Sequence, residues 1–419
     1  MKRIILAFCM FLVGTTSFAA VDSRDFTGVL DGAPYKIRVP DKDWNGVLLL
    51  YAHWYYLMGP PSEPEAAPGG KAMEDLLLSN GYAVAGSTFR GSGWQVKEGT
   101  YDLIALTGLF NELVGKPAKR ILVGYSMGSV IALKSAEEVP LYDGTIPMCS
   151  LAGATPVFGG REAAFAFAYA TAFGWPVEWG TWYDARDGLS FVGDVYGPFL
   201  AQLLDSANFG KFEFIRLLVD LPFDGFYYAP PPVLPAVVFL MAATTEGKAE
   251  LETRAKGYVY ENSDHVYSLT QSEKNYLLSL GVDADWLLES MNAGTTISAG
   301  KPQRQYIEKY FDPTGDLRMP VLTVHSIKDY WYPAHFETRI REKVQAASRE
   351  DLLLQVYTDD IGHCTFTPDQ LLAAIRAMES WLDTGIKPDP DPATPGFFPG
   401  SKGFVVPDPE LLVWPIGKK

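Results

Sequence analysis

Residues 121–130 read ILVGYSMGSV. A run of β-favouring residues leads straight into Gly124, Ser126 and Gly128, and a helical pattern, GSVIALKSAEE, begins with no loop between. A strand ending this way holds one hydroxyl, that of Ser126, on a turn too tight for side chains two positions before and after it. The helix that follows aims its N-terminus at the hydroxyl, which favours negative charge developing there. The bland alternative is a glycine-rich turn that happens to contain serine. The strand before and the helix after weigh against it.

Outward from this turn, strand and helix alternate. DFTGVLDGAPYKIRV (25–39) reads as a hairpin turning at Asp31-Gly32. GVLLLYAH (46–53) is a continuous apolar run, typical of a strand buried on both faces. MEDLLLSNGY, a helix stopping at Gly81, is followed by the strand YAVAGSTF, a helix over 97–114, the strand RILVGY, and, after the turn, the strand TIPMCSLAG. The alternation predicts an α/β fold with a mostly parallel, doubly wound sheet. It lapses after the sixth strand: residues 157–318 are aromatic-rich and helix-like, with a proline cluster at 229–235. It resumes with PVLTVH (320–325), the helix HFETRIREKVQAA and LLLQVYT (352–358). A closing helix is signposted by Thr367, Pro368 and Gln370 as a capping box, with Leu371, Ile375, Met378 and Leu382 on one buried face.

Composition narrows the partners. The 419 residues hold 35 Lys and Arg against 50 Asp and Glu, a net charge of −15, with no basic run of the kind nucleic-acid binding relies on. MKR, ILAFCMFLV and TTSFAA over residues 1–20 read as a secretory signal peptide, with Ser17 and Ala19 spaced for cleavage. Its apolar run is about half of the roughly 20 residues a membrane span needs, so no integral-membrane segment is expected. The predicted location is periplasmic or extracellular. Without Cys9, only Cys149 and Cys364 remain, too few for a metal cluster. No metal and no cofactor are expected.

The chain resembles an α/β-hydrolase over residues 25–156 and 319–384, with the turn after the fifth strand and the insertion where these enzymes carry a cap. LLLYAHWY, GYAVAGSTFRGSGW, IPMCSLAG and GHCTFTPDQ are similar to a group of secreted bacterial esterase-like hydrolases. The expected division is a signal peptide (1–20), a hydrolase core (21–156 and 319–384), a helical cap (157–318) and a proline-rich strap (385–419).

Asp329 in TVHSIKDYWYP follows a buried strand by four residues and resembles the family's H-G-x-x-D, with Ser326 in place of glycine. Asp359 and Asp360 are its rivals. His363, in DDIGHCTFT between the last strand and the capped helix, is the predicted base. By triad logic His363 takes the proton of Ser126, and Asp329 holds the imidazole. The oxyanion donors expected are the backbone N–H groups of Met127 and Tyr55. The family's His-Gly is His53-Trp54 here, a departure that weakens the Tyr55 assignment.

These residues predict a serine carboxylesterase for a small, apolar or aromatic ester, with Trp54, Trp175, Trp179 and Trp182 as pocket residues. The alternatives are an exopeptidase of the same fold and a catalytically silent ligand-binding protein. Cys149 ends the sixth strand and Cys364 adjoins His363, both at the sheet's carboxyl edge, so a disulfide between them is predicted.

Overall fold

The described residues of the computed structural model are 21–56, 61–151, 160–229, 234–389 and 403–413. The expected signal peptide and the proline-rich stretch beyond Asp389 lie outside them. Asp31 and Gly32, both at positive φ (51° and 88°), turn β1 (Ser23–Leu30) back onto β2 (Ala33–Pro40), the backbone a two-residue hairpin requires. Beside it run β3 (Val47–Ala52), β4 (Ala83–Ser87), β5 (Lys119–Tyr125), β6 (Gly144–Met148), β7 (Val321–Ser326), β8 (Leu353–Thr358) and β9 (Phe404–Val405). The sheet order is β1-β2-β4-β3-β5-β6-β7-β8-β9, with every pair from β4 through β8 parallel and antiparallel strands at the edges.

Alternation along the strands divides the core. Leu49, Tyr51, Val123, Ile146, Leu322, Val324 and Val356 face one layer, where they meet Met73 and Leu77 of α1 (Lys71–Ser79). Leu371, Ile375, Met378 and Trp381 of the closing helix, Pro368–Thr384, complete that layer. The helix starts at a full Thr367–Gln370 capping box and ends where Gly385 turns left-handed. The opposite face carries α2 (Val96–Leu113), α3 (Met127–Glu138) and the helix Phe336–Ala346. Glu337 of that last helix reaches Thr323 on β7. β9 adds to β8 through Phe404 and Val405, so the tail's one described apolar strand pairs with the sheet edge.

The described residues fall into two compact units. One is the sheet with its flanking helices, residues up to 151 and from 313 to 412, with Ala229 and Leu234. The other, 160–228 and 235–312, is helical. Residues 313–318, expected in the insertion, pack with the sheet unit. The helical unit has its own aromatic core: Phe167 stacks on Trp182 at 4.4 Å, Phe173 lies 4.9 Å from Phe212, and Tyr169 lies against Phe199. A buried Lys248–Glu252 pair at 3.1 Å sits in it, and Glu252 also accepts the Ala185 N–H.

Two glycines set how closely the turn after β5 packs. A Cβ on Gly124 would come 2.1 Å from the Gly128 carbonyl oxygen, and one on Gly128 would come 2.0 Å from that of Ala52. Neither backbone neighbour can yield cheaply, because each belongs to the sheet or to the start of α3. Gly128→Ala is therefore expected to cost about 3 kcal/mol or more. Gly108→Ala, on the exposed side of α2 with open space around it, is expected to be neutral or to stabilise by about 0.5–1 kcal/mol. Chemical denaturation of both variants checks this; equal stability for the two would contradict the packing account.

Candidate active site

Ser126 sits between β5 and α3 with φ 53° and ψ −115°, a backbone that L-residues rarely adopt. Its N–H donates to the Met148 carbonyl of β6 (3.1 Å), and its own carbonyl accepts the Ser129 hydroxyl (2.5 Å). The strained residue is thus held from both sides. Its side chain stands at the carboxyl end of the parallel strands, and Met127 opens α3 directly behind it.

His363 Nδ1 lies 2.7 Å from Asp329 Oδ2, and His363 Nε2 lies 2.7 Å from Ser126 Oγ. An ionised carboxylate only accepts, so Nδ1 carries the ring proton and the bare Nε2 accepts from the serine hydroxyl. That is the tautomer a general base requires. Asp329 is fixed in turn, its Oδ1 accepting the N–H groups of Trp331 (3.0 Å) and Tyr332 (3.1 Å). The rival acids are engaged elsewhere: Asp359 is exposed beside Lys328, and Asp360 accepts the Gln370 amide at 2.6 Å. All three members are buried, with Ser126 and His363 each 7 % exposed.

Two neighbours of His363 escaped the sequence reading. The Trp331 indole stacks on the His363 ring at 4.9 Å and 23°, and its Nε1–H donates to the Leu234 carbonyl. Tyr332 closes a second side at 5.3 Å. The signal available was the aromatic pair W-Y placed two residues after the acid.

At the end of β3, the His53 ring is sandwiched between Tyr56 (4.3 Å) and Phe89 (4.2 Å), with Nδ1 donating to the Trp54 carbonyl. Burial drives its pKa down to about 4, against the pull of that carbonyl. The stretch carrying Tyr55 is anchored by this sandwich and by the Tyr55–Trp94 contact at 4.9 Å. Because Gly128 packs on the Ala52 carbonyl, the residues after β3 and the first turn of α3 run side by side. Trp54 packs its ring beside Tyr51 and Tyr56. Of the tryptophans expected to line a pocket, the structure places Trp179 and Trp182 inside the helical unit's aromatic core, 1 % and 6 % exposed. Trp175 stands half-buried at 5.7 Å from Trp179.

Cys149 and Cys364 are joined in a disulfide, Cα atoms 5.2 Å apart, tying the end of β6 to the residue after His363. Both cysteines have positive φ (46° and 58°). Cys149 also donates its N–H to the Val324 carbonyl of β7. Among the described residues, the one grouping of His, Cys and acidic side chains tight enough to hold a metal ion is Cys149, His363 and Cys364. Both of its sulfurs are consumed by the bridge.

Strand order, elbow and the chain order serine, aspartate, histidine define a hydrolase of the α/β class. A model described as the alpha/beta hydrolase family matches residues 67–275, and the chain belongs to that family. It is 24% identical over 431 residues to o-phthalyl amidase of Xanthobacter agilis, covering 86% of this chain and 88% of that one. Among solved structures it is similar to Pyrococcus horikoshii acylaminoacyl peptidase (TM-score 0.43, 10% identity, 88% of this chain). It spans only 43% of that peptidase's length. Aspergillus oryzae feruloyl esterase B is matched at TM-score 0.43 and 12% identity, over 88% of this chain and 81% of the esterase.

Two measurements check the site's framework. Thiol titration of the denatured, unreduced protein without its first twenty residues is expected to find no free thiol; two per chain would remove the bridge. The second concerns His53. Folding keeps this ring neutral where the unfolded chain's imidazole is protonated, so the unfolded state binds more protons. The resulting stabilisation is whole above about pH 6.5 and is lost as the pH falls towards 4, by about 3 kcal/mol in all. His53→Phe keeps the stacked ring without the titration. The variant should lose less stability than the wild type between pH 7 and 4.5; equal losses would contradict the neutral, buried His53.

Proposed function

We propose that the chain is a serine hydrolase that cleaves a carboxylic ester through an acyl-enzyme on Ser126. The observation that carries this reading is the unbroken hydrogen-bond chain from Ser126 Oγ through His363 to Asp329. His363 Nε2 takes the hydroxyl proton as Oγ attacks the acyl carbon. The imidazolium formed is stabilised by Asp329 and faces the Trp331 ring. Backbone N–H groups of Met127 and Tyr55 are the proposed donors to the oxyanion. His363 then passes its proton to the leaving group, and water, deprotonated by the same nitrogen, releases the acid.

A second reading has specific support: a relative in Xanthobacter is named o-phthalyl amidase, which favours an amide rather than an ester as the scissile bond. The same histidine serves it, since an amine leaves only when protonated. A silent ligand-binding role would leave the assembled triad without a purpose. Export from the cytoplasm is part of the proposal, supported by the hydrophobic leader in the sequence and by a disulfide of the sort that persists in oxidising compartments.

Ser126→Ala is expected to fold and to lose on the order of a thousandfold or more in kcat/KM. Asp329→Asn is expected to lower kcat by about 10⁴, since the wrong tautomer is then favoured. Steady-state kinetics on matched aryl esters and aryl anilides measure both effects. They also choose between the bonds: a higher kcat/KM for the anilide, relative to its uncatalysed hydrolysis, selects the amidase reading. Retention of a tenth of wild-type turnover by Ser126→Ala would remove Ser126 as the nucleophile.

A further inference from the structure

Behind the acid lies a second buried histidine that the proposed chemistry does not use. His325, on β7, is fully buried. Its Nε2 lies 2.7 Å from the Tyr332 carbonyl oxygen, which can only accept, so Nε2 carries a proton. Its Nδ1 faces Glu337 Oε1 at 3.4 Å. Glu337 is also fully buried, and its other oxygen accepts the Thr323 hydroxyl (2.6 Å) and the Gln355 amide (2.8 Å). If His325 were neutral and Glu337 ionised, a bare nitrogen would face a bare carboxylate oxygen at 3.4 Å, too close for a bridging water. The pair therefore needs one proton more than that.

We propose that His325 is a buried imidazolium paired with Glu337, and that this pair positions Asp329 for its work on His363. The path is short. His325 holds the Tyr332 carbonyl, while the Tyr332 and Trp331 N–H groups hold Asp329 Oδ1. His325 Nε2 itself lies 3.9 Å from Asp329 Oδ2, the oxygen bonded to the base. Two other groups bear on the pair. Tyr357, its neighbour across β7 and β8, has its phenol pushed upward by burial and by Glu337, and Arg341 opposes that shift. Burial alone would lower the His325 pKa, but Glu337, Asp329 and the Tyr332 carbonyl together raise it. Geometry requires a proton between the two groups, and the electrostatics favour its residence on the imidazole. The positioning role rests on the triad reading above; the protonation state does not.

The test has a spectroscopic arm and a kinetic arm. In ¹⁵N-histidine-labelled protein at pH 7.5, with the His325 signals assigned by their loss in His325→Gln, both ring nitrogens of His325 are expected to be protonated. In Glu337→Gln an amide N–H can donate to Nδ1, while the amide oxygen still accepts from Thr323 and Gln355, so His325 becomes neutral and stays held. That variant should keep kcat within about threefold of wild type, because the Tyr332 turn is unmoved. Glu337→Met has no polar atom to offer, and kcat should fall by about 10- to 100-fold with KM changed less than twofold. Its folding is checked by circular dichroism and thermal melting.

A bare Nδ1 in the wild type, or a folded Glu337→Met with wild-type kcat, would overturn the proposal. Activity that survives in Ser126→Ala would instead overturn the triad reading, and the positioning role with it, while leaving the His325 spectrum as evidence of its own.

Discussion

Everything at the candidate site depends on one close approach, that of Gly128 to the carbonyl of Ala52. It lets α3 start against the end of β3, and it obliges Ser126 to take a backbone with φ 53°. Such a conformation costs on the order of 1–3 kcal/mol and persists only where its surroundings over-determine it. Here they do: the β6 carbonyl of Met148 takes the Ser126 N–H, Ser129 bonds its carbonyl, and a helix is committed immediately after it. The strain holds the Ser126 hydroxyl at the end of a parallel sheet with a helix N-terminus behind it, where charge appearing on a substrate oxygen would be favoured.

The proposed base, His363, needs restraint of another kind, since its loop comes from 237 residues further along the chain. Four contacts fix it: the Asp329 carboxylate, the stacked Trp331 ring, the Tyr332 ring and the neighbouring disulfide. The disulfide and the indole act on the loop and ring without adding charge. Charge is instead arranged in depth, from His363 to Asp329 and on to the His325–Glu337 pair on the far side of the acid. Removing one partner of a buried pair costs far more than the pair contributes, because the other charge is left uncompensated. A chain that keeps such a pair beside its acid gains a rigid turn and tolerates little change in it.

Much of this was legible locally. The elbow announced itself because its requirements, small residues at fixed offsets between a strand and a helix, are written within five positions. The closing helix was equally plain, since a capping box and an i, i+4 face are short-range signals. The disulfide followed from there being just two cysteines beyond residue 20, both expected at the sheet's carboxyl edge. Aromatic density in the helical segment did not separate a pocket from a core: Trp179 and Trp182 fill the interior of their own unit. Trp331 and Glu337 were illegible for a different reason. Their meaning lies in which face of β7 or which ring they meet, and no residue type at a fixed spacing encodes that.

The central claim is that Ser126 is a nucleophile activated by His363, and covalent capture tests it most directly. The folded protein would be treated with a fluorophosphonate, digested, and the modified residue located by mass spectrometry, in parallel with a folded His363→Gln variant. The account predicts one phosphonyl adduct per chain, on Ser126, formed at least a hundredfold more slowly when His363 is replaced. An unmodified Ser126, or labelling at the same rate without the histidine, would contradict it.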